Sequence, residues 1–143
     1  MDSRKLILIS VIIFITSLFF DALTFEDLHG IGSYSSLTLF LIGPIGFLGG
    51  GILEFFIWTA NGWLLVSMIS AYKKNYFLAN LSGIIAALIS GSFIFWENIL
   101  VSESGRTAEI HSLEEGYFLW LTSILVMMIL AVYLNWQSKR NIK

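Results

Sequence analysis

Apolar residues run along this chain in four long blocks, at 6–20, 37–72, 76–96 and 116–136. Two stretches richer in polar and charged residues separate them, at 21–36 and 97–115, with one short basic break at 73–75. A helix needs about 20 mainly apolar residues to cross a hydrocarbon core of ~30 Å. The first, third and fourth blocks therefore each predict one crossing helix, over about 6–25, 76–96 and 116–136, with Asp21 near the outer end of the first. The second block is 36 residues long and its one charged residue is Glu54. As a single helix it would extend about 54 Å, too long for one crossing, and three crossings do not fit. Pro44 removes a backbone donor, and Gly43, Gly46 and Gly49-Gly50-Gly51 carry the largest helix entropy cost. The pattern predicts a short interfacial or re-entrant element over 37–47, then a crossing helix over about 50–72. Irregular backbone at membrane depth needs protein or water to satisfy it, so the glycine-rich break should pack against other helices.

Charge orients these blocks. Seven of the eight Lys and Arg residues fall in three clusters: Arg4-Lys5, Lys73-Lys74, and Lys139, Arg140 and Lys143. Arg106 is the exception. Eight of the ten acids lie in the other two polar stretches. This is the positive-inside pattern. It places both termini on the cytoplasmic side, which requires an even number of crossings. The resulting expectation is an all-α fold: one polytopic transmembrane domain over 1–143, with four helices, N-in and C-in, and outer loops of about 26–49 and 97–115. The partner is the lipid bilayer and the location a cell membrane, crossed several times. Aromatic belts fit these spans. Trp96, Tyr117, Phe118 and Trp120 fall at the outer interface, and Tyr72, Tyr76, Tyr133 and Trp136 at the inner one.

Composition agrees with a membrane protein. Hydrophobic residues make up 57% of the chain, charged residues 13%, and the mean hydropathy is +0.82, outside the soluble globular range. A net charge of −2 argues against a nucleic-acid partner, which would want a basic field. There is no cysteine, so disulfides, thiolate metal sites and cysteine nucleophiles are excluded. Arg4 and Lys5 before an apolar run resemble a signal sequence, but Phe19, Phe20 and Asp21 stand where small residues would mark cleavage. The segment reads as a retained helix.

Four sets of residues are candidates for more than lipid contact. Ala79, Gly83, Ala87 and Gly91 recur at intervals of four on the third predicted helix, beside Ser82, Ala86 and Ser90. Small residues at this spacing let helix backbones approach closely, either inside one bundle or at the seam of a homo-oligomer. The last helix is bulky by contrast, with Leu125, Met127, Met128, Ile129 and Leu130, and looks lipid-facing. Glu54, Trp58 and Asn61 share one helix face. An amide near mid-depth serves as interhelical glue. Glu54 is interfacial if crossing begins there. If crossing begins near Ile45 it lies at depth, where a carboxyl marks a proton or cation path lined by Glu54, Asn61 and Ser90. His29 and His111, with nearby carboxylates, are weak metal candidates, since no ligand spacing of a known metal motif accompanies them. Solvated acidic loops are the commoner reading, so neither a metal nor a cofactor is expected. Asn80-Leu81-Ser82 matches a glycosylation sequon but falls inside a helix. No nucleophile elbow, Walker loop or GxGxxG occurs.

Two stretches, Trp58-Thr59-Ala60-Asn61-Gly62-Trp63-Leu64-Leu65 and Gly116-Tyr117-Phe118-Leu119-Trp120-Leu121, resemble motifs of a loose group of small bacterial four-helix integral membrane proteins. These are a Trp-x-Ala-Asn-Pro-Leu-Leu-Leu pattern and a Gly-Tyr-Tyr-Leu-Trp-Leu opening of the last helix. The resemblance implies the four-crossing fold over nearly the whole chain and draws attention to Asn61. Gly62 stands where that group has Pro, so a kink there is not implied. The group carries no activity with it. The expected function is that of a non-enzymatic integral membrane protein acting through helix–helix association, with a homo-oligomer as one form. The alternative is a small ion channel or membrane-permeabilising effector with Glu54 and Asn61 lining the path.

Overall fold

The computed structural model describes residues 3–28, 30–102 and 105–140. Helix α1 covers Ser3–Ser17 and leads into a hairpin of β1 (Asp21–Asp27) and β2 (Gly30–Ser35). The short helix α2 (Ser36–Ile42) runs on into a 3-10 segment, Gly43–Gly49. Helices α3 (Ile52–Tyr72) and α4 (Tyr76–Ser92) form an antiparallel pair, and a 3-10 turn extends α4 to Phe95. A second hairpin, β3 (Asn98–Leu100) and β4 (Thr107–Leu113), precedes the long helix α5 (Glu115–Arg140).

Two parts of the sequence expectation are overturned. The fold is not all-α: the two hairpins join into one antiparallel sheet in the order β2-β1-β4-β3, so the fold is mixed α/β. Nor does the chain form four membrane-length helices. Among the described residues three are long and apolar enough to cross a membrane: Ile52–Tyr72, Tyr76–Phe95 and Glu115–Arg140. The first apolar block was expected to be helical to about residue 25, but α1 stops at Ser17, and its apolar part, Ile7–Ser17, falls short of that length.

The physical reason lies in residues 16–27. Thr16 and Ser17 turn their hydroxyls back onto the carbonyls of Ile12 and Phe14, at 2.8 and 2.6 Å, a habit that bends or ends helices. Leu18, Phe19 and Phe20 then donate to carbonyls only three residues back, the tightened last turn of a helix. Beyond it, Asp21–Asp27 finds partners on both sides. It pairs with β2 from Asp21↔Ser35 to Asp27↔Gly30, and with β4 from Leu23↔Leu113 to Glu26↔Glu109. Ladders on both sides satisfy the backbone groups that the helix no longer pairs.

The outer loops expected over 26–49 and 97–115 are therefore largely ordered elements. β4 shows why. In Thr107–Leu113, Ala108 is buried and Ile110 half-buried, while Thr107, Glu109 and His111 are exposed. That is the two-residue period of a strand with one face on a core. Arg106, which breaks the charge pattern, lies 3.2 Å from Asp27. The exception is thus an ion pair between the two hairpins.

The helices pack with α4 between α3 and α5, and α1 against α5. Arg4 lies over the ring of Tyr72 at 5.3 Å and Arg140 over Trp136 at 4.6 Å. The start of α1 therefore sits beside the α3–α4 turn, with its Lys73 and Lys74, and the sheet caps the opposite end. Leu23 and Ile99 of the sheet join Phe93 and Tyr117 in a single core. Much of the apolar surface points outward. Leu8, Ile12, Leu48, Leu88 and Ile129 are each more than half exposed, and in the most apolar window of α3 only 17% is buried. Water would oppose so large an apolar surface.

Candidate functional site

Polar chemistry inside the bundle is carried by hydroxyls. Every buried polar side chain among the described residues is a serine. Ser10 donates from α1 to the Ser123 carbonyl of α5 at 2.7 Å, and Ser67 from α3 to the Ala79 carbonyl of α4 at 2.8 Å. Such bonds tie apolar helices together without burying a charge. The sequence signal was available, since these serines interrupt otherwise apolar blocks, but their pairing across helices was not.

The small-residue stripe is used, with a different phase. Ala79, Ser82, Gly83, Ala86 and Ser90 are buried, whereas Ala87 is half-buried and a Cβ on Gly91 would meet nothing within 4 Å. A strict spacing of four drifts off the contact face, because a helix turns every 3.6 residues. Gly83 marks the closest approach: a Cβ there would stand 3.2 Å from both Met128 Cα and Ser67 Oγ. Met127 and Leu130, expected to face lipid, are buried in this packing, although Ile129 does face outward.

At the sheet end the packing opens into a half-enclosed cavity of about 680 Å³, within the size range of small-molecule sites. α1, α2, the 3-10 segment, α3, α5 and the sheet all contribute to its wall. Phe14, Leu39, Ile57, Trp58, Tyr117 and Trp120 make the wall apolar and aromatic. Trp58 is held by an indole hydrogen bond to the Phe40 carbonyl, at 2.9 Å. Gly43 makes room for that indole, since a Cβ would overlap its five-membered ring.

Two of the residues singled out for a conduction path line this cavity. Glu54 is in the first turn of α3, which begins at Ile52, and one of its carboxyl oxygens accepts the Leu100 backbone N–H of β3 at 2.9 Å. The carboxyl therefore ties helix to sheet, at a helix end where negative charge is favoured. Asn61 bridges two helices: its amide donates to the Trp58 carbonyl at 3.0 Å, and its oxygen accepts the Trp120 indole N–H at 2.8 Å. Ser90 is not in the wall. Its hydroxyl bonds to the Ala87 carbonyl of its own helix, while its carbonyl accepts the Tyr117 hydroxyl at 2.9 Å. Tyr117, expected in an outer aromatic belt, is buried.

Two further wall groups were not anticipated. Ser36 is buried and its hydroxyl has no hydrogen-bond partner. Tyr34 has its phenol pushed above the usual 10.0, by burial first and by the nearby Asp27 charge second, so it remains a protonated donor. Neither stands out in the sequence, because both sit in a polar stretch that gives no sign of turning inward.

Metal binding gains no support. No group of three or more His, Asp or Glu that could hold an ion occurs among the described residues. His111 is exposed on β4, and His29 lies outside the described residues. No family model, curated protein or solved structure matches this chain.

Proposed function

We propose that this chain is a non-enzymatic, multi-pass protein of the cell membrane that acts by binding at the junction of its helices and its sheet. In this reading the basic end of the bundle faces the cytoplasm and the sheet lies outside. The observation that carries it is the make-up of the junction cavity. It sets one carboxyl and one unpartnered buried hydroxyl in an aromatic, apolar wall, at one end of helices long enough to be embedded. Ligand sites are built this way, apolar with a few placed polar groups. Catalysis is a poorer fit, because among the described residues Glu54 is the one carboxyl of the wall, with no second acid or base beside it there. Conduction also fits less well: Asn61 and Ser90 spend their side chains on fixed helix contacts.

The absence of cysteine gives a clean test. Ser33→Cys in β2 and Lys73→Cys after α3 are both exposed positions. In intact cells a membrane-impermeant maleimide should label the first and reach the second only after lysis. Labelling of Lys73→Cys in intact cells would overturn the orientation. Purified protein in liposomes should pass no more ions than empty vesicles do. A flux that disappears in Asn61→Leu would replace the binding reading with a pore.

A further inference from the structure

The chemistry of the junction cavity narrows its occupant. Most polar groups in the wall are already committed. Trp58 donates to Phe40, Trp120 to Asn61, Asn61 to Trp58 and Tyr117 to Ser90. Ser17 donates to Phe14, and Thr38 is bonded to Ser35. Among the described residues of the wall three groups have capacity left. One is the second carboxyl oxygen of Glu54, which lies over Gly51, 3.2 Å from where a Cβ would stand. The others are the Ser36 hydroxyl and the phenol of Tyr34. Among the described residues only one other buried side-chain atom lacks a partner, Asn80 Oδ1, and Asn80 is not in this wall.

A buried polar group without a partner costs about 1–3 kcal/mol, so such an atom in a cavity wall points to something that bonds it. Among the described residues the wall contains no Lys, Arg or His. A phosphate or carboxylate head would therefore meet the Glu54 carboxyl with no compensating cation, in surroundings where an uncompensated charge is heavily penalised. An uncharged hydroxyl head meets the opposite situation: an acceptor oxygen is waiting at Glu54, a hydroxyl that can donate or accept at Ser36, and a phenol donor at Tyr34. The aromatic and aliphatic remainder of the wall suits a hydrocarbon chain.

We propose that the cavity binds an amphiphile whose head donates hydrogen bonds and carries no negative charge, a hydroxyl-headed lipid being the simplest form. The head sits between Glu54 and Ser36, and the chain lies along Trp58, Ile57 and Trp120. This rests on the binding reading above and gives it a ligand class.

The test uses the full chain in phosphatidylcholine nanodiscs, with Trp63 and Trp136, the outward-facing tryptophans, replaced by phenylalanine. Quenching of the remaining tryptophans is titrated with a monoacylglycerol brominated in its chain, and with a lysophosphatidate carrying the same chain. The expected result is saturable quenching by the monoacylglycerol, at least ten-fold tighter than by the lysophosphatidate. Glu54→Gln replaces the waiting acceptor with a donor, and should weaken monoacylglycerol binding at least five-fold and narrow the gap between the two probes. Ser36→Ala should weaken it about three-fold while leaving the melting temperature unchanged, since that hydroxyl has no bond to lose. This second variant decides the matter if Glu54→Gln does not fold. Equal or non-saturable quenching by both probes, or full affinity in Ser36→Ala, would overturn the proposal. Cysteine labelling reports the topology separately, so failure of the ligand class is distinct from failure of the membrane reading.

Discussion

The two ends of the helical bundle solve the same packing problem differently. Toward the basic end, α3, α4 and α5 meet through Ala71, Ala79, Ser82, Gly83, Met127 and Ala131, all buried, with backbones close enough that a methyl group at Gly83 would crowd Met128. Toward the sheet, large aromatic side chains and glycines stand around an opening of about 680 Å³. Small side chains leave little to misfit and allow dispersion and serine hydroxyls to hold the helices. Rings spanning a wider gap cannot fill it, so that end is held by a few directed bonds, Glu54 to Leu100 and Asn61 to Trp120. The dense end is where stability should be concentrated, and the open end is where change should be tolerated.

Substitutions that add volume give the largest contrast. Gly83→Leu forces a side chain into the α4–α5 contact, and overpacking of this kind costs about 1–3 kcal/mol. Thermal unfolding in detergent should show a clear loss of stability. A Leu at Gly83 that melts like the parent would mean the dense end is looser than its distances imply.

Asn61→Leu is expected to come next. It removes the acceptor of the Trp120 indole and should cost about 0.6–2 kcal/mol. Because the bond belongs to the pair, Trp120→Phe in the Asn61→Leu background should add little. Fully additive losses in the double mutant would show that the two residues act independently.

What the sequence made legible follows the same division. The dense end comes from long apolar runs bounded by lysines, and α3 begins within a few residues of the glycine-rich break that was read as its start. The sheet end departs from the all-helical expectation because its strand signals are short. Strand β1 begins inside what looks like the tail of an apolar helix, and only the Thr16 and Ser17 back-bonds show why the helix stops. Thr107–Leu113 does alternate, but a polar stretch between two apolar blocks resembles a loop, and its two-residue period spans only seven residues. At the site, Glu54 and Asn61 stood out because a carboxyl and an amide are rare in apolar runs. Ser36 and Tyr34 did not, since nothing local shows that a polar stretch folds back over the bundle. The register of two hairpins separated by residues 36–97 is a tertiary fact.

Adding a methyl group at the open end should do the reverse of Gly83→Leu. A Cβ at Gly46 would meet nothing nearer than the Gly51 carbonyl oxygen, at 3.8 Å, and the alanine has less conformational freedom to lose on folding. Gly46→Ala should be neutral or stabilising, by up to about 1 kcal/mol. A destabilised Gly46→Ala would mean that this wall is packed after all, and the difference between the two ends would shrink.

The finest test compares two buried serines, one with a hydrogen-bond partner and one without. Ser67 donates to the Ala79 carbonyl across the α3–α4 contact. Ser67→Ala leaves that carbonyl with its own helical bond and removes one interhelical tie, a loss of about 0.6 kcal/mol by the average for such bonds in membranes. Ser36 is also buried, but its hydroxyl bonds to nothing in the protein. Ser36→Ala therefore removes a desolvated group with no bond to break, and should leave stability unchanged or slightly raised in ligand-free protein. The sign of the difference matters more than its size. If both variants lose stability equally, Ser36 is doing the structural work of an ordinary buried serine. If Ser67→Ala falls and Ser36→Ala does not, the Ser36 hydroxyl is present for something other than holding the fold, at the end of the bundle that is built around an opening.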